Sequence, residues 1–463
     1  MIPTLALLAL ITPAQDAEPA GPFPSVIERV RLDTWAELLL ETDELPGFAV
    51  GMLRGDQRWL GGYGETALGN GKTPNALTRY EIGSLTKLFT GILLAEMALK
   101  GDVRIDQPVD DLLPDGLVAP ASGDHRIQLV HLATHTSGMP RLPGNLDLAV
   151  DPERPYENYT SESLVSALAE TKLTSIPGRL YAYSNYGYGL LGTLLASSQQ
   201  LGYERLLAAR VLGPLGLFHT TLTRNAESEA RMAPPYAAGL RPVAPWLFRV
   251  MAPCGALVSS TTDMLALLEA QLGKAPASMI PALDLAASQI WTNPATPMDM
   301  GLGWHRNRRN GSLFHSGQTG GYYSFIALDI EREIGVVVLT NSSTSLIEDW
   351  GQRAFQLLRG DSYIEAMHYR AQKPRPASEL NGLVGDYGML GLGTMKITQV
   401  EGRLFAQLGT QDSYRLYADA EKDDLFFYRS VDAELRFDRD STPQRVTLLQ
   451  SGREFTGTLS DGR

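Results

Sequence analysis

Apolar residues recur along this 463-residue chain with two different spacings. Up to about residue 360, apolar positions three and four apart predict helices, which alternate with short continuous apolar runs that predict strands. The predicted helices are 26–41, 84–101, 163–170, 187–195, 259–272 and 350–358, and the predicted strands are 48–53, 58–60, 322–330 and 334–340. Strands at both ends of this region and helices between them indicate an α+β fold, with an antiparallel sheet built from distant segments.

A different pattern follows residues 371–377, a segment with two prolines that predicts a linker. Beyond it, short strand-like runs follow one another at regular spacing. They lie at 395–400, 403–408, 414–417, 425–429, 434–437, 445–450 and 454–459. This arrangement is typical of a small all-β barrel or sandwich. We therefore expect two folded units, at residues 25–360 and 378–463.

The first 17 residues predict a signal peptide. The apolar run from Ile2 to Ile11 has the length of a secretion signal and is too short to span a bilayer. Ala14 and Ala17 offer cleavage sites, but the terminal amine is the only positive charge before the run. The alternative is a frayed apolar tail. We expect an exported protein, periplasmic or secreted, with no transmembrane segment.

Composition narrows the classes of function. The formal net charge of −12 argues against a nucleic-acid or anionic-membrane partner, and 44% hydrophobic residues suffice for a full core. The single cysteine, Cys254, excludes an intramolecular disulfide, and its apolar surroundings predict a buried thiol rather than a nucleophile. His131 and His135 are four apart but lack a third ligand pattern, so we expect no metal and no cofactor. The expected partner is a small-molecule or peptide substrate, and the oligomeric state is open.

Ser84 and Lys87 form a Ser-x-x-Lys motif where a predicted helix begins. Residues three apart share a helix face, so the hydroxyl and the amine can meet. A partly desolvated lysine can lose its own proton and assist the serine, whose hydroxyl is otherwise a poor nucleophile. The helix dipole favours negative charge that develops at Ser84. Taken alone, the motif also fits an ordinary helix start with a solvated lysine.

A second motif is Tyr183-Ser184-Asn185. A tyrosinate held beside cations could take the proton of the serine and return it to the leaving group. The amide of Asn185 could orient a substrate carbonyl and the lysine. The alternative is a tyrosine-rich packing patch, which is the better explanation for Tyr181, Tyr186 and Tyr188.

A third motif lies in the segment His315-Ser316-Gly317-Gln318, just before a predicted strand. Glycines there allow the backbone to approach a substrate closely. The backbone N–H of Gln318, together with that of Ser84, could form an oxyanion hole. His315 could instead be a core or surface histidine, but its place beside glycines favours the site.

Together, and in this order, the three motifs resemble the class C β-lactamase and penicillin-binding-protein superfamily over about residues 25–360. The segments 132–140, 214–217 and 255–260 add to the resemblance. It implies a β-lactamase/transpeptidase-like fold, in which helices flank an antiparallel sheet and a helical subdomain is added. Within the superfamily, the chain is most similar to D-alanyl-D-alanine carboxypeptidase/endopeptidase-type members and to family VIII esterases. Residues 378–463 resemble lipocalin-like β-domains.

The resemblance implies a hydrolase that works through an acyl-enzyme. The residues it points to are Ser84, Lys87 and Tyr183 for catalysis, and Asn185, His315, Gly317 and Gln318 for substrate and oxyanion binding. His315 stands where many members have the lysine of a Lys-Thr-Gly motif, and an uncharged imidazole holds a substrate carboxylate weakly, which argues against strong β-lactamase activity. We expect a hydrolase of esters or D-alanyl peptides. The alternatives are a true class C-type β-lactamase and a catalytically silent cell-wall-binding or regulatory protein.

Overall fold

The computed structural model describes residues 23–147, 151, 153–409, 411, 413–429 and 431–460. The predicted signal peptide lies outside the described residues. Within the described ranges, no helix has the length and apolar character needed to cross a membrane. The α-helices are α1 (Val26–Leu40), α2 (Thr86–Lys100), α3 (Leu129–Ala133), α4 (Ser161–Glu170), α5 (Asn185–Ser198), α6 (Tyr203–Leu207), α7 (Ala226–Glu229), α8 (Thr261–Gln271), α9 (Ile280–Ala287), α10 (Leu346–Arg359) and α11 (Ala377–Asn381).

An antiparallel sheet of seven strands forms the centre of the first unit, in the order β2-β1-β11-β10-β9-β8-β7. Two short antiparallel pairs, β3 with β6 and β4 with β5, lie outside it. The strands of this unit are β1 (Gly47–Arg54), β2 (Gln57–Gly64), β3 (Arg79–Glu81), β4 (Tyr236–Ala237), β5 (Arg241–Pro242), β6 (Val258–Ser260), β7 (Met298–Met300), β8 (His305–Asn307), β9 (Leu313–Gln318), β10 (Tyr323–Asp329) and β11 (Ile334–Thr340). The expected α+β fold with a sheet built from distant segments is confirmed.

Both faces of the central sheet are covered, which explains why its middle strands β1, β10 and β11 are mostly apolar and are buried along almost their whole length. In β11, Val336 and Val338 pack on one side with α1 and α10, while Val337 and Leu339 face the opposite side. That opposite side is shared by α2, α5, α8 and α9. Because successive side chains of a strand point to opposite faces, a strand covered on both faces shows a continuous apolar run rather than alternation.

Helix α2 lies in the middle of this second layer and carries Lys87. It is buried on all sides from Thr86 to Met97, as a helix in the interior of a large unit must be. It ends at Gly101, which adopts a left-handed conformation with φ of 80° and receives the usual C-terminal cap. The helix begins two residues later than expected, because Ser84 lies in a 3₁₀ turn, Gly83–Leu85, that leads into it.

The C-terminal unit is a closed antiparallel barrel of eight strands. Its strands are β12 (Gly385–Met389), β13 (Gly393–Val400), β14 (Arg403–Leu408), β15 (Tyr414–Ala418), β16 (Leu425–Phe427), β17 (Ala433–Asp438), β18 (Arg445–Gln450) and β19 (Arg453–Leu459). Seven of these match expected strands, and β12 was missed. β12 closes the barrel by pairing with both β13 and β19. The barrel interior is filled by its own apolar side chains, such as Leu404, Leu435 and Val446.

The segment between the two units is tied to both of them. Met367 packs in the apolar layer beside α1 and α10. Arg370 forms ion pairs with two carboxylates of the barrel unit, Asp419 at 2.7 Å and Glu434 at 2.5 Å. The connection is therefore packed against the units rather than a free tether.

The close approach of α2 to the strand β7–β8 connection depends on Gly91. A Cβ atom at this position would lie 1.9 Å from the carbonyl oxygen of Leu302. Alanine is a better helix former than glycine by roughly 1 kcal/mol, so a loss of stability in Gly91→Ala can only come from this clash. We expect Gly91→Ala to lower the free energy of unfolding by about 1–3 kcal/mol, measured by chemical denaturation. Leu99→Ala, at an exposed position of the same helix, serves as the control; equal stability of Gly91→Ala and wild type would contradict the packing.

Candidate active site

Two side chains converge on the hydroxyl oxygen of Ser84. The Lys87 ammonium donates a hydrogen bond to Ser84 Oγ at 3.0 Å. The Tyr183 hydroxyl donates to the same oxygen at 2.6 Å. Lys87 is the second residue of α2 and Tyr183 lies two residues before α5, so the fold joins two motifs that are about a hundred residues apart. A serine with two such neighbours has two groups within reach of its proton.

Lys87 is completely buried, and each of its three N–H donors has an acceptor. Besides Ser84, it donates to Asn185 Oδ1 at 2.9 Å and to the carbonyl oxygen of Cys254 at 2.7 Å. Three acceptors match the three donors of an ammonium group. The contact with the Cys254 carbonyl was not anticipated. The Cys254 thiol is buried as expected, and burial raises its pKa to about 11, which disfavours the thiolate that a nucleophile requires.

The ring of Tyr183 is held between aromatic and cationic neighbours. His135 stacks on it with ring centroids 4.3 Å apart. The Lys87 ammonium lies 4.8 Å and the Arg141 guanidinium 5.2 Å from the ring centroid. Cations over a tyrosine face are attracted by the ring, so both contacts help to hold the ring of Tyr183 beside Ser84.

Hydrogen bonds to the ring and to the backbone carbonyl of His135 fix the segment that carries Tyr183. The Ser184 N–H donates to His135 Nδ1 at 3.0 Å, and the Ala182 N–H donates to the His135 carbonyl at 2.8 Å. Ser184 then caps α5, since its hydroxyl accepts from the Gly187 N–H at 2.9 Å. Asn185 is thereby the first residue of α5, with its side chain directed at Lys87.

Strand β9 runs against the turn that carries Ser84. A Cβ atom on Gly317 would lie 2.1 Å from the carbonyl oxygen of Ile82 and 2.9 Å from the Ser84 backbone nitrogen. A Cβ atom on Gly83 would lie 2.6 Å from the backbone nitrogen of Gln318. Only glycine permits so close an approach at either position. The backbone nitrogens of Ser84 and Gln318 consequently lie on two adjoining segments, as an oxyanion hole requires.

His315 lies on the same strand and is almost completely buried, with 1% of its surface exposed. Its Nδ1 is hydrogen-bonded to the Ser316 carbonyl at 2.6 Å, and its ring stacks on that of His305 at 4.6 Å. Burial, assisted by the charge of Lys87, lowers the pKa of His305 to about 4 and the pKa values of His315 and His135 well below the usual range. All three imidazoles are therefore neutral near pH 7.

The residues of the three motifs open onto one cleft of about 810 Å³. Its walls include Ser84, Tyr183, Asn185, His315, Gly317 and Gln318, so the structure brings together the residues that the sequence singled out; Lys87 lies beneath the floor. The side chain of Gln318 donates to the Ser343 carbonyl at 2.8 Å. In the described part of the chain, no group of three or more metal-binding side chains is placed to hold a metal ion.

A family model described as Beta-lactamase matches residues 32–358. The chain belongs to the β-lactamase family. It is a serine hydrolase of the β-lactamase and DD-peptidase superfamily. One curated relative, the D-alanyl-D-alanine-carboxypeptidase/endopeptidase AmpH of Escherichia coli K12, is 28% identical in an alignment of 329 positions that covers 67% of this chain and 83% of that protein. Protein flp of Staphylococcus aureus MRSA252 is 25% identical over 323 residues, or 68% of this chain and 64% of that protein.

Solved structures agree with this membership. A β-lactamase/D-alanine carboxypeptidase from Yersinia pestis, complexed with citrate, is 26% identical and superposes with a TM-score of 0.61 over 72% of this chain and 98% of its own. An octameric penicillin-binding protein homologue from Pyrococcus abyssi is 20% identical and has a TM-score of 0.65 over 92% of this chain and 99% of its own. The second match extends the shared fold beyond the family domain.

Several groups that surround Ser84, Lys87 and Tyr183 could not be predicted from the sequence. His135 lies in the segment 132–140 that supports the family resemblance, but its stacking on Tyr183 has no local sequence pattern. The carbonyl of Cys254 belongs to the backbone, so residue type carries no information about it. His305 comes from the neighbouring strand β8 and meets His315 only through sheet pairing.

The neutral histidines predict how stability depends on pH. In the unfolded chain a histidine gains a proton as the pH falls through about 6.5, whereas in the folded protein the lowered pKa values keep these imidazoles neutral. The unfolded state then binds more protons, so the free energy of unfolding falls as the pH drops from about 6.5 towards 4, by about 1.4 kcal/mol per pH unit for each histidine. We expect His315→Asn to lower the slope of the free energy of unfolding against pH by the contribution of one histidine, about 1.4 kcal/mol per pH unit. Urea unfolding at several pH values measures this slope.

The exposed His125 supplies the matched control, because His125→Asn alters no buried imidazole. The difference in slope between each variant and wild type cancels the contribution of all other titrating groups. Identical slopes for wild type, His125→Asn and His315→Asn would show that His315 does not resist protonation in the folded protein.

Proposed function

We propose that Ser84 is the nucleophile of an acyl-enzyme mechanism directed at D-alanyl peptides or at esters of comparable size. The observation that carries the proposal is the convergence of Lys87 at 3.0 Å and Tyr183 at 2.6 Å on a single hydroxyl oxygen. A binding protein needs neither proton acceptor beside a serine. This argues against the alternative of a catalytically silent cell-wall-binding or regulatory protein.

In the acylation step, Ser84 Oγ attacks the substrate carbonyl carbon while its proton passes to Lys87 or Tyr183, whichever of the two has first released its own proton and acts as an amine or a phenolate. The carbonyl oxygen becomes an oxyanion that the backbone N–H groups of Ser84 and Gln318 stabilise. The proton then returns to the leaving amine or alcohol as the bond to it breaks, which leaves the acyl ester on Ser84. Water adds to this ester with the same groups as base and acid, and the acid product leaves.

Asn185 and His315 are proposed to orient the substrate. The amide oxygen of Asn185 accepts a hydrogen bond from Lys87, so the NH₂ group of Asn185 is the part that can donate to a substrate carbonyl. His315 stays neutral because burial lowers its pKa, so it contributes at most a hydrogen bond. A lysine in place of His315 would add a full positive charge. The absence of this lysine favours peptidase or esterase activity over strong β-lactamase activity. The name of the relative AmpH agrees with the peptidase alternative.

We further propose that residues 1–17 direct export, so that the hydrolase works in the periplasm or outside the cell, and that residues 25–360 form the catalytic domain ahead of the barrel at 378–463. Turnover of p-nitrophenyl esters, nitrocefin and D-alanyl-D-alanine peptides by the purified full chain distinguishes the substrate classes. Nitrocefin as the best substrate would favour the β-lactamase alternative.

Ser84→Ala removes the proposed nucleophile, for which the chain has no substitute, so we expect both turnover and labelling by a fluorescent penicillin or fluorophosphonate to disappear. The melting temperature should stay close to that of wild type. Ser161→Ala, at an exposed position of α4, is the matched control and should keep full activity. Residual labelling of Ser84→Ala at another residue would disprove the assignment.

Tyr183→Phe keeps the ring but removes the hydroxyl that lies against Ser84. Proton transfer by a positioned side chain contributes typically 10²–10⁴-fold, so we expect kcat to fall by about that factor while covalent labelling at Ser84 continues at a reduced rate. Single-turnover measurements with a p-nitrophenyl ester test this. An unchanged kcat would assign the proton transfers to Lys87 alone.

A further inference from the structure

The C-terminal barrel forms part of the wall of the catalytic cleft. Ser413 and Tyr414, at the start of β15, and Arg429, just after β16, line the same cleft as Ser84 and Tyr183. We propose that the barrel completes the substrate site and that Arg429 determines specificity by binding a carboxylate of the substrate. This proposal rests on the proposed function, since it assumes that the cleft receives the substrate of Ser84.

The barrel is held against the first unit by charged and polar contacts of strand β15. Arg415 pairs with Asp43 and also donates to its carbonyl oxygen at 2.6 Å. The Tyr417 hydroxyl donates to a carboxylate oxygen of Glu44, and both side chains are buried. Because the buried polar groups of this interface find their hydrogen-bond partners across it, the two units are held in one relative position. A residue of the barrel that binds substrate requires such a fixed position.

The same contacts position a second part of the cleft wall. The other carboxylate oxygen of Glu44 accepts from the Gly239 N–H at 2.8 Å, in the turn between β4 and β5. A Cβ atom on Gly239 would lie 2.4 Å from the Cβ of Arg415. Ala237, Ala238 and Arg241 of this hairpin line the cleft. The barrel therefore supports the wall as well as contributing to it.

Arg429 is held in place by aromatic rings. Its guanidinium carbon lies 4.7 Å from the ring centroid of Tyr417 and 5.3 Å from that of Phe427. It donates to the Arg370 carbonyl at 3.0 Å. Among the residues that the structure describes, no carboxylate forms a salt bridge with Arg429. A planar cation that is already oriented loses little freedom when it binds a carboxylate.

The charges around the cleft favour an anionic ligand. Of the described charged residues in its walls, three are arginines, Arg141, Arg241 and Arg429, and one is acidic, Glu153. Glu153 is paired with Arg241 at 3.3 Å. Two positive charges thus remain in a protein with a net charge of −12. Because His315 is neutral, the charged partner of a substrate carboxylate must be one of these two arginines in the cleft wall.

The test compares substrates that differ by one carboxylate. The full-length protein is assayed with p-nitrophenyl butyrate against mono-p-nitrophenyl succinate, and with phenyl acetate against 3-carboxyphenyl acetate, so that the carboxylate lies on the acyl or on the leaving-group side. We expect Arg429→Gln to raise KM for the anionic ester of at least one pair by about tenfold or more, with kcat and the neutral ester little changed. Arg429→Lys should recover part of the loss, since it restores the charge without the planar fork.

Arg436→Gln is the matched control, because Arg436 is an exposed arginine of the same barrel that pairs only with Glu454 among the described residues. An Arg429→Gln variant that weakens neutral and anionic esters equally, or that only lowers the melting temperature, would assign Arg429 to docking of the barrel and overturn the proposal. Equal kinetics of Arg429→Gln and wild type in both pairs would overturn it as well.

A binding measurement separates this proposal from the catalytic one. N-acetyl-D-alanine and its amide are titrated into wild type and Arg429→Gln, with the intrinsic tryptophan fluorescence as the signal, to which Trp246 in the cleft wall contributes. The carboxylate ligand should bind wild type more tightly, and Arg429→Gln should remove that preference. If wild type hydrolyses no ester but keeps the preference, the proposed function fails while the role of Arg429 stands. Without the preference in wild type, the role of Arg429 is wrong.

Discussion

The site is organised around one buried amine. Lys87 has no exposed surface, and its three hydrogen bonds reach three separate elements: the turn before α2, the first residue of α5 and the 3₁₀ segment that ends at Cys254. A buried ammonium without such acceptors would cost several kcal/mol, so these elements are stable only when all three meet at this point. The requirement to satisfy Lys87 therefore also places Ser84 and Asn185.

The same charge affects groups that do not touch it. Together with burial, Lys87 lowers the pKa values of His135, His305 and His315, which surround Tyr183 and the third motif. Tyr183 in turn lies between Lys87 and Arg141 on its ring and beside a neutral His135. Positive charge near the serine thus lies on Lys87 and Arg141, while the neutral imidazole of His135 holds the ring of Tyr183 in position.

Residues of the candidate site could be predicted where they belong to a short sequence motif. Contacts made by backbone atoms from a distant part of the chain could not be predicted. The convergence of Ser84, Lys87, Tyr183 and Asn185 could be predicted because their residue types and spacing are chemically meaningful, whereas the contact with the Cys254 carbonyl is independent of residue type. Strand β12 was missed for a related reason. Two of its five residues are glycine, which favours a turn, and only pairing with β13 and β19 makes it a strand.

The distribution of charge explains why a histidine is compatible with the third motif in this chain. His315 is buried, stacks on His305 and lies within the field of Lys87, so a lysine ammonium there would add a second cation to a site that already holds one. Here the remaining positive charge lies in the walls of the cleft, on Arg141 and Arg429, and a guanidinium is more weakly hydrated than an ammonium, so its partial burial costs less. With the roles proposed for Ser84 and Arg429, attraction of an anionic group is separated from proton transfer, and the two properties can change independently, one through the barrel and the cleft wall, the other through α2 and α5.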